Sequence, residues 1–266
     1  STLGGEVSEL WMPRASAPRP LVAARPGTHE SFTLEPPLSN REGRTWGGPR
    51  KIEVHLPPGY ATGTGRHPVL LVNDGKTALG ALDFAGVLDA LAGTSTEPMI
   101  AVFIELQSAY EFARGERDLY RDFVVERLLP EIDRRYRTRT DPASRAMLGF
   151  DEGAYAALFT ALTRPEAVGK AASVSLFHGS SQGQRELEGL IAAAKTLPFV
   201  CLDWGRYDAR DATREFSTVA ACEGLVRALE ARRAPVRVFR SNDGDQCAFW
   251  KSRLPALLEA LFPLAK

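Results

Sequence analysis

The residues Gly149-Phe150-Asp151-Glu152-Gly153 stand between a short apolar run, RAMLGF, and an Ala-rich stretch, AYAALFTAL. This is the frame G-x-S-x-G, a sharp strand-to-helix turn that lifts its central side chain clear of both elements, with aspartate where a nucleophilic serine would stand. The two glycines fit the positions where such a turn crowds side chains, and aspartate is among the residues that tolerate a positive φ. Asp151 is therefore expected to point into the pocket on which the turn opens. A serine there would need a neighbouring base to become a nucleophile. A carboxyl instead can donate or accept a proton, attack as a carboxylate, or bind a cation.

The elements that must position Asp151 follow from the pattern of apolar residues. ESFTLEPPL and RKIEVHLPPGY read as an antiparallel strand pair, the second alternating Ile52, Val54 and Leu56 before a Pro-Pro-Gly stop. Beyond it, apolar runs alternate with helical periods. HPVLLVND precedes a helix near ALDFAGVLDALAG, and PMIAVFIE precedes RDLYRDFVVERLLPEIDRRY. After RAMLGF and its helix come KAASVSLF with QRELEGLIAAAKTL, PFVCLDW with ATREFSTVAACEGLVRALEARR, and PVRVFRS with CAFWKSRLPALLEALF. Repeated strand-helix units predict an α/β fold with a mostly parallel central sheet and helices on both faces. Ligands in such sheets bind at the carboxyl ends of the strands. Residues 1 to 28, rich in Pro, Arg and Ala, read as an extended arm, and residues 29 to 266 as a single domain.

Lys plus Arg and Asp plus Glu balance at 33 each, so no net field draws the chain to nucleic acid or to an anionic membrane. No apolar run reaches the ~18 residues of a membrane span. Cys201, Cys222 and Cys247 are widely spaced and odd in number, which fits neither a zinc pattern nor a disulfide framework, and they read as buried or half-buried side chains. The opening STLGGEVSEL has no basic-then-apolar start, and cytoplasmic and exported locations both stay open. Trp11 and Trp46 suit an edge cover or a homodimer contact equally well.

Several ordered motifs resemble one family: the α/β-hydrolase group containing enterochelin esterases, esterase D-type enzymes and mycolyltransferases. The likeness spans roughly residues 50 to 262. It rests on EVHLPPGY, on HPVLLVNDGK, on VVERLLPEIDRRYRTRTDPASRAMLGF leading into the turn, on LDWGRYD and on NDGDQCAFWKSRL. The resemblance implies the α/β-hydrolase fold and, in chain order, a catalytic serine, an acid and a histidine. Carried over, the serine position is Asp151 and the acid position Asp208. The histidine position is Asp245, or Gln246 if the alignment slips by one residue. The resemblance also places the oxyanion-hole N–H groups at Lys76, after Asp74-Gly75, and at Glu152. Trp204 and Trp250 flank the last two triad positions, as core packing or as pocket lining.

An aspartate and a non-imidazole cannot run the serine-ester mechanism. The expectation is a degenerate member that keeps the inherited pocket for a small-molecule ligand or a protein partner, or for a non-hydrolytic reaction, with no cofactor implied. Two alternatives remain at this point. Asp151 could itself be a nucleophile, as in haloalkane dehalogenases and epoxide hydrolases, which requires a histidine, and His178 in SVSLFHGSS is the nearest candidate. Or the Asp151, Asp208 and Asp245 carboxylates could bind Ca²⁺ or Mg²⁺, unless Lys76 pairs with Asp151. His29, His55 and His67 read as structural, and Arg114 in the ARGERDLYRD segment as part of a solvated loop or a group facing the pocket.

Overall fold

The computed structural model describes residues 21–23, 25–35, 48–107, 112, 116–177, 181–211 and 216–264. Trp11, Trp46, Arg114, His178 and residues 1–20 of the N-terminal arm lie outside the described residues. Among the described residues ten strands form: β1 (Thr28–Leu34), β2 (Arg50–Leu56), β3 (Val69–Asn73), β4 (Ile100–Ile104), β5 (Arg145–Phe150), β6 (Lys170–Val174), β7 (Phe199–Gly205), β8 (Arg210–Asp211), β9 (Phe216–Ser217) and β10 (Val236–Ser241). The helices are α1 (Gly75–Gly80), α2 (Phe84–Leu91), α3 (Arg117–Phe123), α4 (Leu129–Arg135), α5 (Glu152–Thr163), α6 (Ser181–Ala193), α7 (Thr218–Ala231) and α8 (Cys247–Leu261).

Eight strands make one sheet in the order β1-β2-β4-β3-β5-β6-β7-β10. β1 and β2 pair antiparallel, and β2 meets β4 antiparallel; every later neighbour is parallel. The apolar runs read as strands buried on both faces are that, because β3, β4 and β5 have no exposed residue. Successive side chains of a strand point to opposite faces. Val69 and Leu71 thus pack with α3 to α7, whereas Leu70 and Val72 pack with α1, α2 and α8. Two apolar layers, one on each face, hold the parallel strands so that their carboxyl ends form a common rim.

The structure corrects several expected boundaries. The helix expected near residues 81–93 is α2, confined to Phe84–Leu91 and entered through Asp83 at a φ of 47°, and a separate short helix, α1, stands before it. The strand expected over 170–177 stops at Val174, where Ser175 takes a φ of 50°. The helix expected from residue 212 starts at Thr218, capped by the Ser217 hydroxyl accepting from the Ala220 N–H, and the small β8–β9 hairpin precedes it. The long helix over 117–136 is continuous but changes pitch. Pro130 has no N–H to close the ladder, and the turn just before α4, Val124–Leu128, is wound as a π-helix. Among the described residues no helix is long and apolar enough to cross a membrane.

Candidate functional site

Asp151 is the single residue between β5 and α5, and its backbone lies at φ 55°, ψ −123°. That is outside the left-handed helical well, a conformation costing an ordinary residue about 1–3 kcal/mol. The neighbouring glycines make it feasible. A Cβ on Gly149 would sit 2.0 Å from the Gly153 carbonyl oxygen, and one on Gly153 would sit 3.0 Å from the Asn73 Cβ. Backbone bonds pin the turn from outside: the Asp151 N–H donates to the Val174 carbonyl at 3.0 Å, and the Asp151 carbonyl accepts from Ala154 and Phe177 at 3.1 and 3.2 Å. The Asn73 amide donates to the Gly153 carbonyl at 2.8 Å and is itself held by the Tyr120 hydroxyl at 2.5 Å. The Asp151 carboxyl makes no capping bond to the backbone of α5.

The loops after β7 and β10 bring further acids. They are cross-tied: Arg206 N–H donates to the Ser241 carbonyl and Tyr207 N–H to the Asp243 carbonyl, each at 2.9 Å. The Asp245 carboxylate closes the same seam by accepting from the Ala209 N–H at 3.1 Å. Asp245 and Gln246 are exposed, while Asp208 is 2 % exposed. Neither Asp208 oxygen has a well-formed hydrogen bond among the described residues. Its burial raises the Asp208 pKa, and the Ser175 hydroxyl, the Gly205 backbone and the Arg253 charge work the other way. Asp151 feels all of these acids. Burial first, then the charges of Glu152 and Asp245, a hydrogen bond with Glu152, and last the charge of Asp208 push it up to about 8. The charges of Asp245 and Asp208 thus reach Asp151.

A family model described as "Putative esterase" matches residues 43–185, more than half of the chain and inclusive of the turn at Asp151. The chain belongs to this esterase family. Among solved structures, the enterobactin esterase from Shigella flexneri, in the presence of enterobactin, superposes with a TM-score of 0.75 at 18% identity, covering 95% of this chain and 64% of that one. A ferulic acid esterase gives 0.70 at 17% identity, over 90% and 99% of the two chains. The S-formylglutathione hydrolase from Staphylococcus aureus gives 0.66 at 13%, over 88% and 98%. These likenesses establish the α/β-hydrolase fold. An uncharacterized protein, YbbA, of Bacillus subtilis (strain 168) is 24% identical over 147 residues, and the match spans 57% of that relative's length.

Within this esterase fold the other expected site residues divide. Asp74, at φ 53°, caps α1 by accepting from the Thr77 N–H at 3.5 Å. Its charge, after burial, is what raises the Cys247 thiol, so the start of α1 lies near the start of α8. Gly75 presses on β4, where a Cβ would come 2.8 Å from the Phe103 Cβ and 2.9 Å from its carbonyl carbon. Because Gly75 takes the inward position, Lys76 faces solvent and makes no ion pair with the described residues. The salt bridge weighed between Lys76 and Asp151 is therefore not formed. Trp204 is buried with the Arg240 guanidinium 4.9 Å above its ring, and Trp250 stacks on Phe150 at 5.1 Å while donating to the Ser175 hydroxyl at 2.8 Å. Both tryptophans pack in the core.

The described histidines sit at the other end of the sheet. His55 pairs in register with Ala101 and with His29, at the amino end of the parallel strands, and His67 precedes β3. Each has a structural partner: His29 with Glu53 at 2.9 Å, His55 with Asp89 at 2.8 Å, and His67 with the Pro98 carbonyl at 3.0 Å. Cys201 and Cys222 are buried and Cys247 half-buried. Among the described residues no group of three or more His, Cys, Asp or Glu is arranged to hold a metal ion.

One residue behind the rim escapes a reading of the sequence. Arg253 of α8 reaches the Asp203 carboxylate at 2.9 Å and that of Asp243 at 3.4 Å. It also donates to the Ser241 and Ser175 hydroxyls at 2.9 and 3.3 Å and to the Gly244 carbonyl at 3.4 Å. Asp203 is 1 % exposed, and its burial raises it to about 7 against the pull of Arg253. The available signal was an aspartate inside the apolar strand VCLDWG, since a buried acid needs a partner. Arg253, three residues after Trp250 on the same helix face, is that partner.

Proposed function

We propose that this esterase-family chain is not a serine esterase, and that its inherited pocket binds a small molecule through Asp151 acting as a proton-bearing acid. The observation that carries this reading is the Asp151 carboxyl itself. It sits at the tip of the turn, makes no capping bond to α5, and is pushed up to about 8 by burial and by Glu152, Asp245 and Asp208. A neutral carboxylic acid donates a hydrogen bond, or a proton, to a ligand lone pair. It is a poor nucleophile, and this favours the reading over an aspartyl-ester intermediate. The same acids disfavour anionic ligands and suit an uncharged or cationic molecule with an acceptor atom to offer. An interaction protein without turnover and a non-hydrolytic enzyme both use the site in this way.

The test joins a covalent label to a titration. A fluorophosphonate probe is expected to leave the protein unlabelled, and an activated ester to give no burst. Carbon-detected NMR of Asp151 is expected to show a carboxyl titrating well above the usual carboxylate range. Stoichiometric labelling would sink the first half, and an Asp151 ionised by pH 5 the second.

A further inference from the structure

Among the described residues the central sheet ends in two edge strands, β1 and β10, and they are guarded to different degrees. An edge strand leaves a row of N–H and carbonyl groups without a ladder partner, which makes it a template for another strand. β10 holds Arg237 and Arg240 exposed within six residues, and such charges keep an edge from pairing. β1 runs for seven residues without Pro, Lys or Arg. Its two ionisable side chains are engaged within the molecule, His29 with Glu53 at 2.9 Å and Glu30 with the Tyr136 hydroxyl at 3.1 Å. Thr28 to Ser31 and Thr33 are exposed, and among the described residues the β1 backbone bonds to β2 alone.

The strand is also complementary to itself. Turned antiparallel about Ser31, it sets Glu30 opposite Phe32, His29 opposite Thr33 and Thr28 opposite Leu34, so no like charges stand directly opposite one another. One charge gains a complement. The Arg135 guanidinium of α4 lies 4.2 Å over the Phe32 ring. Directly opposed side chains of paired strands have Cβ atoms ~5 Å apart, which brings Glu30 of a second copy beside that cation. We propose that β1 is a self-association edge, on which a second copy of this chain pairs its own β1 antiparallel about Ser31 and joins two eight-stranded sheets into one. Such a contact is isologous and closes as a two-fold dimer. It is independent of the chemistry at Asp151, which follows β5, the fifth strand from this edge. Seven residues of strand make a short interface beside the ~800 Å² per partner of a standard one, so the expected dimer is reversible, with a Kd of about 10–100 µM.

Sedimentation velocity of the full chain from about 1 to 500 µM tests this, and conversion from monomer to dimer within that range is expected. Ser31→Lys, at an exposed position, sets two cations against each other on the two-fold axis and should weaken association about fivefold or more, with an unchanged circular dichroism spectrum. A short bis-maleimide should link two Ser31→Cys chains well above the background of the unmodified chain. A chain that stays monomeric throughout the range overturns the proposal. So does a dimer that withstands Ser31→Lys undiminished, or one whose Ser31→Cys chains fail to link.

Discussion

Two groups of acids lie at the carboxyl ends of the central strands, and they differ in one respect. Asp203 and Asp243 share the Arg253 guanidinium, which also ties Ser175, Ser241 and the Gly244 carbonyl into one buried network. Asp151 has acids as neighbours, with Glu152, Asp245 and Asp208 all raising its pKa, and no ion pair among the described residues. The first group has a cation in its midst and serves as scaffold, although burial still raises Asp203 to about 7. The second is left uncompensated, so it keeps a proton that a ligand can use. A buried acid with its partner supplied from within is evidence about folding, whereas one whose partner is missing points to chemistry or binding.

The contrast can be broken most directly at Arg253. Arg253→Met strands the Asp203 carboxylate in the core, and urea unfolding at pH 8 should register a loss of about 3–5 kcal/mol. A loss under about 1 kcal/mol would mean that the network is not compensating a charge.

Asp151→Asn should behave in the opposite way. The folded chain holds a proton on Asp151 up to about 8, whereas the unfolded chain releases it near 3.8, so the folded state binds more protons in between. Stability contributed by this group therefore falls as pH rises from about 4 to about 8, and the asparagine variant should lack that decline. Parallel stability-versus-pH curves for the two proteins over this range would refute the uncompensated reading. Asp203, raised to about 7, adds a decline of the same sign that remains in the variant.

The smallest effect is expected at Lys76. Lys76→Ala should change stability by no more than about 0.5 kcal/mol and leave the titration of Asp151 unmoved. A downward shift of that pKa on restoring the lysine would instead reveal the ion pair absent from this structure.

The fold was legible because its signals are local. Apolar runs such as VLLVN and IAVFI need no partner to be recognised, and the Gly149 and Gly153 frame announces a turn in which only small residues fit. Asp151, Asp208 and Asp245 were likewise singled out from motif positions. What stayed hidden depends on through-space partners or on single dihedral angles. The breaks at Asp83 and Ser175 are one-residue excursions to positive φ at side chains that carry no sequence mark of it. Lys76 looked like a base for Asp151, but the close approach of Gly75 to Phe103 turns the lysine outward. Arg253 drew no notice in the sequence, since nothing within α8 shows that Asp203 lies beneath it.

The hydrogen bonds that tie the β7 loop to the β10 loop have a mechanical consequence. Arg206 and Tyr207 are held to Ser241 and Asp243, and Ala209 to Asp245, so the segments bearing Asp208 and Asp245 form a single clasp rather than two independent flaps. A ligand that displaces one segment drags the other. The amide protons of Arg206 and Tyr207 should then exchange with solvent at a common rate, rising or falling together whenever the rim above Asp151 opens or is occupied.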